Sequence, residues 1–358
     1  MSIKDIAKRV GVSPSTVSRV LNNPAYKCSS DELRSAIWQA AVELNYTPNE
    51  AARRLKMGKG RDQQKTYYIN VLLTHTDQLA MDPFFRELLD CVETEVHSNF
   101  CVLSKVWVNS LFSDDEKCAS SDLNAVINDM YEEADGKSDG LIIIGRCSKD
   151  ALLMWKKRYR SVVSVNRNPT GGLTDEITCD GSKVAYIAVR HLFELGHRRI
   201  AYIGECENEA RFAGYRKAID EEGLPFDSRY VIDRKYAHME ADELIHSLAS
   251  MEKGPTGIYC SNDIIAVGLL WALNNARSNY FRPSIIASDD IEEGQRTKPM
   301  LTTVRLFKED MARHALYLLL DRLKGGHEGI IRMDIAPQIV SRGSTYRAEA
   351  KDWYRYTG

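Results

Sequence analysis

Two short helical patterns at the start of the chain flank a single glycine, Gly11. In the first pattern Ile6 and Val10 lie four residues apart and therefore share one face of a helix. Gly11 can adopt the positive φ that ends a helix, and Ser13 and Pro14 suit the N-cap and the first position of the next one. Two such short elements joined so closely predict a helix-turn-helix.

The outer face of the second pattern is polar. Val17, Val20 and Leu21 share its apolar side, which leaves Arg19 with small polar residues on the other side. An arginine can donate two parallel hydrogen bonds to guanine, so the pattern favours DNA recognition. Any small helical hairpin has a polar face, however, and from this pattern alone a purely structural role stays open. The residues that we predict to contact DNA here are Ser13, Pro14, Ser15, Thr16, Ser18, Arg19 and Asn22.

Two further helical patterns follow. Ser29 and Glu32 form a capping box for the third helix, and the fourth covers residues 48–57. An isolated helix shorter than roughly 12 residues is marginal in water, so the fourth helix needs a partner. Its small residues, one leucine and flanking basic side chains suit insertion into a DNA minor groove. The predicted contact residues are Ala52, Arg53, Leu55 and Lys56.

Charge is divided unevenly along the chain. Residues 1–61 carry 11 basic and 5 acidic side chains, whereas the remaining residues carry 37 basic and 45 acidic ones. The positive excess therefore lies where contacts to DNA phosphates are predicted. The net charge of −2 for the whole chain conceals this division.

Several classes of protein are disfavoured by the sequence. No apolar segment approaches the ~20 residues of a membrane span and no signal-peptide core is present, so we expect a cytoplasmic protein without membrane contact. The 8 cysteines form no CxxC pair, which favours free thiols over disulfides or a zinc site. The chain also lacks GxGxxG, Walker, GxSxG and HExxH motifs, and we therefore expect no enzymatic activity, no cofactor and no metal.

From about residue 66 onwards, apolar strands alternate with helices. At 358 residues the chain is too long for one ordinary core, and near-continuous apolar strands joined by helices indicate parallel sheets covered on both faces. We therefore predict an α/β core of two doubly wound parallel-sheet lobes, preceded by a small all-α helix-turn-helix domain. The predicted strands are 67–74, 102–108, 141–145, 162–165, 200–204, 257–260, 285–287 and 302–304, and the predicted helices include 85–97, 183–195, 211–222, 263–274 and 311–324.

These elements give a division into domains. The predicted units are a DNA-binding headpiece (1–46), a hinge helix with a polar linker (47–65), a two-lobed core (66–345) and a tail (346–358). Within the core, we expect one lobe to comprise about 66–178 and 307–336, and the other about 179–306 and 337–345.

Ligands of doubly wound sheets bind beyond the carboxyl ends of the strands. Polar residues follow several of the predicted strands at that position, and an arginine opens the helix after another. Asn and Asp at such turns usually cap helices, so a structural role stays open for each of them. The candidates from this reasoning are Thr74, His75, Asn166, Arg211, Asn262, Asp263, Asp289 and Asp290.

Several segments resemble the lactose/galactose/purine repressor family. They are KDIAKRVGVSPSTVSRVLN and ELNYTPNEAARRLK near the start, and LFELGHRRIAYIG, RFAGYRKAI, YCSNDIIAVG, PMLTTVR and IVSRGST further on. The resemblance covers nearly the whole chain. It implies a headpiece and hinge that bind DNA, and a periplasmic-binding-protein-like core that holds a small molecule between its lobes.

The resemblance also implies roles for single residues. Pro14, Ser15 and Arg19 occupy base-reading positions, and Leu55 occupies the position that opens the central base step of the operator. Because proline offers only apolar contact there, Ser15 and Arg19 should carry most of the hydrogen-bond readout. The implied effector positions are Arg211, Asn262 and Asp289, then Asn166 and Thr74, with Phe84 or Phe85 and Tyr236 as an aromatic wall.

The chain also departs from the family pattern. Ala287 and Ser288 stand where a glycine and an aromatic residue are common, and His75 and residues 77–82 are unusual. The identity of the ligand is therefore not carried over from any well-known member.

These observations predict a homodimeric transcription repressor that reads a pseudo-palindromic DNA operator and is released by a carbohydrate, with a galactoside as the narrower expectation. A dimer is expected because residues 346–358 show no heptads for a tetramerising helix. The alternative is a regulator with a purine or nucleoside corepressor, whose site would sandwich the ligand between aromatic rings. A sugar site would be mainly polar with one stacking ring. A solute-binding protein for a transporter is disfavoured by the DNA-reading segment and the missing signal peptide.

Overall fold

The computed structural model describes residues 3–22, 28, 30–43, 65–75, 77, 79, 82–166, 171–207, 209–233, 241–275 and 281–350. The described part of the headpiece consists of α1 (Ile3–Val10), α2 (Pro14–Asn22) and α3 (Asp31–Glu43). The three helices enclose a small core in which Ile6, Val17 and Ile37 are fully buried. The predicted helix-turn-helix arrangement is therefore present.

The local signals of the headpiece act mostly as predicted. Gly11 has φ +75° directly after α1. Ser13 caps α2, since its Oγ accepts a hydrogen bond from the backbone N of Thr16 at 3.1 Å. At the start of α3 the Oγ of Ser30 accepts a hydrogen bond from the backbone N of Leu33 at 3.2 Å, whereas Ser29 of the predicted capping box lies outside the described residues. Ser30 precedes the helix directly, and this gives its hydroxyl the reach of an N-cap.

The first lobe is built on a parallel sheet with the strand order β11-β5-β4-β3-β1-β2. Its central strands are buried on both faces, as helices cover both sides. The strands are β1 (Tyr68–Leu73), β2 (Val102–Val108), β3 (Gly140–Ile144), β4 (Ser161–Asn166), β5 (Asp175–Thr178) and β11 (Arg332–Asp334). The helices are α4 (Pro83–Ser98), α5 (Asp115–Ser120), α6 (Leu123–Glu133), α7 (Lys149–Arg158) and α13 (Lys308–Leu323), with a 3-10 turn at Ser110–Ser113.

The second lobe has the strand order β12-β10-β9-β8-β6-β7, in which only β12 among the described strands runs antiparallel to its neighbour. Its strands are β6 (Ile200–Gly204), β7 (Val231–Asp233), β8 (Gly257–Cys260), β9 (Ser284–Asp289), β10 (Thr302–Arg305) and β12 (Gln338–Val340). Its helices are α8 (Gly181–Glu194), α9 (Ala210–Glu221), α10 (Ala241–Ala249), α11 (Asp263–Asn275) and α12 (Glu292–Gln295), with 3-10 turns at Ser228–Tyr230 and Ala348–Ala350. The predicted fold of two doubly wound lobes is confirmed.

The chain passes between the lobes after β5, after β10 and after β11, so the described part of each lobe is discontinuous in sequence. Helix α13 follows β10 of the second lobe and packs against α4 and the sheet of the first lobe. Its first residue, Lys308, therefore lies where the two lobes meet. Within the described residues, no helix is both long and apolar enough to cross a membrane.

Candidate functional site

The predicted DNA-reading face of α2 is accessible in the structure. Val17 is fully buried on the inner side of the helix, whereas Arg19 is exposed on the outer side. The hydroxyl of Ser13 lies 2.7 Å from that of Ser15 and 2.8 Å from that of Thr16. Among the other predicted contacts, Ser13, Pro14 and Ser15 are exposed and Thr16 and Ser18 are half-buried, while Asn22 belongs to α2. The predicted hinge contacts Ala52, Arg53, Leu55 and Lys56 lie outside the described residues.

A strained turn lies at the carboxyl end of β9. Asp289 and Asp290 have φ angles of +129° and +52°, which residues other than glycine rarely adopt. Two arginines hold the second carboxylate, with Arg305 Nε and Arg342 Nη2 each 2.5 Å from an oxygen of Asp290. Strained backbone that is fixed in this way occurs preferentially at functional sites, and here it coincides with a predicted effector residue.

Lys308 connects this turn to the first lobe. Its ammonium donates hydrogen bonds to the backbone oxygens of Asp289 at 2.9 Å and Asp290 at 3.1 Å. The same ammonium lies 2.9 Å from a carboxylate oxygen of Glu87 in α4, and 5.4 Å from the centre of the Phe84 ring. Lys308 is only 7% exposed. The carboxyl ends of the two sheets are therefore joined through one buried cation.

Arg211 lies in the first turn of α9, the helix that follows β6 in the second lobe. Its guanidinium pairs with both carboxylate oxygens of Glu209 and also donates to the backbone oxygen of Ser261 at 2.7 Å. Burial acts to lower the pKa of Arg211, but the hydrogen bonds and charge of Glu209 outweigh it and raise the pKa. The negative charge of Asp289 acts on Arg211 in the same direction.

The start of α11 supplies a buried carboxyl group and a cap. Asp263 is fully buried and accepts hydrogen bonds from the hydroxyl of Thr303 at 2.6 Å and the backbone N of Ile291 at 3.0 Å. Burial, with a smaller contribution from the charge of Asp289, raises the pKa of Asp263 to about 7. The Oδ1 of Asn262 accepts from the backbone N of Ile265 at 3.0 Å, so Asn262 caps α11 through that oxygen.

Two aromatic rings lie at the start of α4 in the first lobe. Phe84 and Phe85 are buried at the start of α4 and meet edge to face, with ring centres 5.2 Å apart. The ring of His75 stacks on Phe85 at 4.5 Å, and its Nε2 lies 3.6 Å from a carboxylate oxygen of Asp82. A flat ring therefore already rests on Phe85.

The remaining predicted effector residues lie in different environments. Thr74 is fully buried and its hydroxyl donates to the backbone oxygen of Ile144 at 3.2 Å. Asn166 ends β4 beside Thr178 of β5. Tyr236 lies outside the described residues.

Sequence reasoning missed three charged residues that form these ion pairs, namely Glu87, Glu209 and Lys308. Glu87 and Lys308 are helical residues without a motif, and only the packing of α13 against α4 brings them together. Glu209 carried a usable signal, because a carboxylate two residues before a helical arginine can both cap the helix and pair with the guanidinium.

Comparison with known proteins agrees with this architecture. Residues 2–49 match the model described as "Bacterial regulatory proteins, lacI family", and residues 189–345 match a periplasmic binding protein-like domain. The chain is 30% identical over 361 residues to the HTH-type transcriptional repressor PurR of Haemophilus influenzae, covering 96% of this chain and 98% of that protein. The chain belongs to the lacI family. Members of this family are transcription regulators with a DNA-binding helix-turn-helix headpiece and a periplasmic-binding-protein-like core.

Solved structures show the same fold. A LacI family transcriptional regulator from Enterococcus faecium with bound ribose has a TM-score of 0.63 at 25% identity, covering 78% of this chain and 99% of that one. The lac repressor dimer bound to operator and the anti-inducer ONPF has a TM-score of 0.62 at 20% identity, covering 97% of this chain and 99% of that one.

Proposed function

We propose that this lacI-family repressor binds a pseudo-palindromic operator as a homodimer, and that a small molecule in the cleft between its lobes controls the affinity for DNA. The contact that carries the proposal is Lys308, which ties the strained turn at Asp289 to Glu87 of the first lobe. A ligand that contacts Asp289 and the ring of Phe85 would change the relation between the two lobes. The first lobe begins directly after the segment that leads from the headpiece, so lobe movement can reach the DNA-binding face.

A purine nucleobase is the first candidate for the effector. The full-length relatives are repressors named PurR, which favours the purine alternative over the galactoside expectation. The stacked pair of His75 and Phe85 supports the same choice, because a flat aromatic ligand can occupy the position that the imidazole takes on the Phe85 ring. Arg211 and Asp289 offer a donor and an acceptor to the edge of such a base.

A sugar is the second candidate. Solved neighbours hold ribose and cellobiose, and these ligands belong to those proteins. The buried hydroxyl groups of Tyr259 and Ser288 lie 2.9 Å apart, and the charges of Arg211 and Asp289 both act on Tyr259. Carboxylate, guanidinium and hydroxyl groups around one aromatic ring suit a molecule with several adjacent hydroxyls.

An apolar face on α11 supports the homodimer. Ile264 and Trp271 lie seven residues apart on one side of this helix and are 42% and 71% exposed. Gly268 lies between them, and its missing side chain leaves room for a second helix to approach closely. A large exposed tryptophan beside a glycine is typical of a protein interface. Association is favourable because it removes the apolar indole ring from water.

The test is operator binding with and without effector. The operator is first selected from a random DNA pool with the full-length protein, and binding is then measured with guanine, hypoxanthine, ribose, cellobiose and galactosides. We expect an enriched two-fold sequence whose affinity changes with one class of compound. A purine that tightens binding indicates a corepressor, and a sugar that weakens it indicates an inducer. Failure to enrich any DNA sequence would contradict the proposed function.

A further inference from the structure

Glu209 lies in the turn between β6 and α9, two residues before Arg211. Its carboxylate accepts a hydrogen bond from the backbone N of Arg211 at 3.0 Å and thereby caps the helix. The same carboxylate accepts two hydrogen bonds from the guanidinium, from Nε to Oε1 and from Nη2 to Oε2, both at 2.8 Å. The two side chains are 13% and 11% exposed, so water screens this pair only weakly.

Most N–H donors of Arg211 already have a hydrogen-bond acceptor in the protein. A guanidinium has five N–H groups; two bind Glu209 and a third binds the backbone oxygen of Ser261. Among the described residues, the other two have no acceptor. Arg211 is therefore held in one orientation and can offer two donors to a ligand, while its positive charge is already balanced by Glu209.

The other cationic side chains of this region also form ion pairs with carboxylates. Arg305 and Arg342 both pair with Asp290, and the ammonium of Lys308 pairs with Glu87. Asp289, only 2% exposed, adds a negative charge that acts on Arg211. Arg305 and Arg342 share one carboxylate and so keep one excess positive charge, which the negative charge of Asp289 offsets. Among these described groups an anionic ligand therefore meets no net positive charge.

We propose that Glu209 sets the charge selectivity of the effector cleft: by neutralising Arg211, it makes the cleft accept an uncharged effector and reject phosphorylated or carboxylated forms of the same compound. This inference rests on the proposed function, because it concerns the same cleft. Glu209 acts through Arg211 and is a positioning residue. When the negative charge of Glu209 is removed, the buried guanidinium of Arg211 needs another anion to balance its charge.

The experiment uses inorganic phosphate as the probe and the full-length protein throughout. Phosphate binding is measured by calorimetry, and by the rise in melting temperature, for wild type, Glu209→Gln and the control Glu205→Gln. Glu205 is an exposed carboxylate in the same turn, so its substitution changes the net charge equally without reaching Arg211. We expect Glu209→Gln to bind phosphate at least tenfold more tightly than wild type, and the control to match wild type. Equal phosphate affinity in wild type and Glu209→Gln would overturn the proposal.

A second measurement needs only wild type and remains decisive if Glu209→Gln does not fold. Binding is compared within the pairs guanine and GMP, hypoxanthine and IMP, ribose and ribose 5-phosphate, and galactose and galactose 6-phosphate. We expect the uncharged member to bind more tightly in every pair that binds, and tighter binding of a phosphorylated member would contradict the inference. Selection of an operator by the wild-type protein tests the proposed function independently of these ligand measurements. A protein that binds no DNA therefore refutes the proposed function, whereas the phosphate comparison alone decides the role of Glu209.

Discussion

Arg19 can make either of two kinds of contact with DNA. It is exposed on α2, on the side opposite to the buried Val17, so it can reach a base or a phosphate. A bidentate bond to guanine depends on the base, whereas a contact to phosphate does not. The difference between specific and nonspecific binding therefore reports which contact is made.

We predict that Arg19→Ala weakens binding to the selected operator by about 1 to 3 kcal/mol, because a bidentate contact to a base is lost. Nonspecific DNA should be affected much less. The measurement is a titration of both DNAs with wild type, Arg19→Ala and Lys8→Ala, where Lys8 is an exposed cation on α1. Equal losses on both DNAs for Arg19→Ala would show a phosphate contact instead.

Asp289 is buried and has a positive φ, and its negative charge acts on Arg211. We predict that Asp289→Ala raises the effector concentration for half-maximal response roughly tenfold or more, since a buried hydrogen-bonding group of the ligand loses its acceptor. The dose response of operator binding measures this. The control is Asp220→Asn, an exposed carboxylate on α9. An unchanged midpoint in Asp289→Ala would place the effector elsewhere.

At the scale of elements, the turn after α13 is joined to β5 by charged hydrogen bonds. Asp175 is almost fully buried. Its carboxylate accepts hydrogen bonds from Arg322 Nε at 2.7 Å, from His327 Nε2 at 2.9 Å and from the backbone N of Ile331 at 2.8 Å. The Nδ1 of His327 lies 2.5 Å from a carboxylate oxygen of Asp321. The imidazole thus bridges the end of one helix to a buried strand.

This bridge predicts a dependence of stability on pH. The hydrogen bond to Asp321 and, with a smaller effect, the hydrogen bond to Asp175 raise the pKa of His327 above its usual 6.5. The folded state therefore holds this proton more tightly than the unfolded state, and the resulting stabilisation is complete below pH 6.5 and is lost as the pH rises through the raised pKa. We expect the difference in unfolding free energy between wild type and His327→Gln to shrink over that interval.

Urea denaturation at several pH values measures this difference. The buried histidines His191 and His197 have lowered pKa values and affect wild type and variant equally, so the comparison removes them. His246→Gln, at an exposed position on α10, is the matched control. A difference that stays constant with pH would show that the proton on His327 does not contribute to stability.

The exposed face of α11 gives a prediction about assembly. We expect Trp271→Glu to convert the dimer into monomers, because a carboxylate in an apolar interface carries a large desolvation cost. Light scattering after gel filtration measures the mass. Tyr317→Glu is the control, since Tyr317 is 59% exposed on α13 in the other lobe. A dimer that persists in Trp271→Glu would place the interface on another surface.

At the scale of the whole molecule, the separation of charge governs association with DNA. Residues 1–61 have an excess of six positive charges and the remainder an excess of eight negative ones. If the dimer neutralises roughly 8 phosphates, the logarithm of the binding constant should fall with the logarithm of salt concentration with a slope of about −7. Titrations between low and physiological salt test this, and a slope near zero would contradict phosphate neutralisation by the headpiece.

Elements with strong local signals could be predicted from the amino-acid sequence alone. The α2 helix follows from Ser13 as cap and Pro14 as first residue, and β2, β6 and β8 were predicted to the residue because their apolar runs end at polar turns. Two lobes follow from two successive runs of buried strands. The short strands β5, β7, β11 and β12 were not predicted, since three or four residues carry too little periodicity and pair only where the neighbouring strand provides a partner.

The pairing of the charged residues, by contrast, depends on contacts that only the folded chain makes. The sequence placed Arg211, Asn262 and Asp289 at strand ends, but it could not show that Glu209 balances Arg211 or that Asn262 caps α11. The bridge from Lys308 to Glu87 joins residues 221 positions apart and exists only because the chain returns to the first lobe between β10 and α13. Such contacts depend on the three-dimensional path of the chain, because hydrogen bonds and ion pairs act over a few ångströms, whereas a sequence pattern reports only neighbours along the chain.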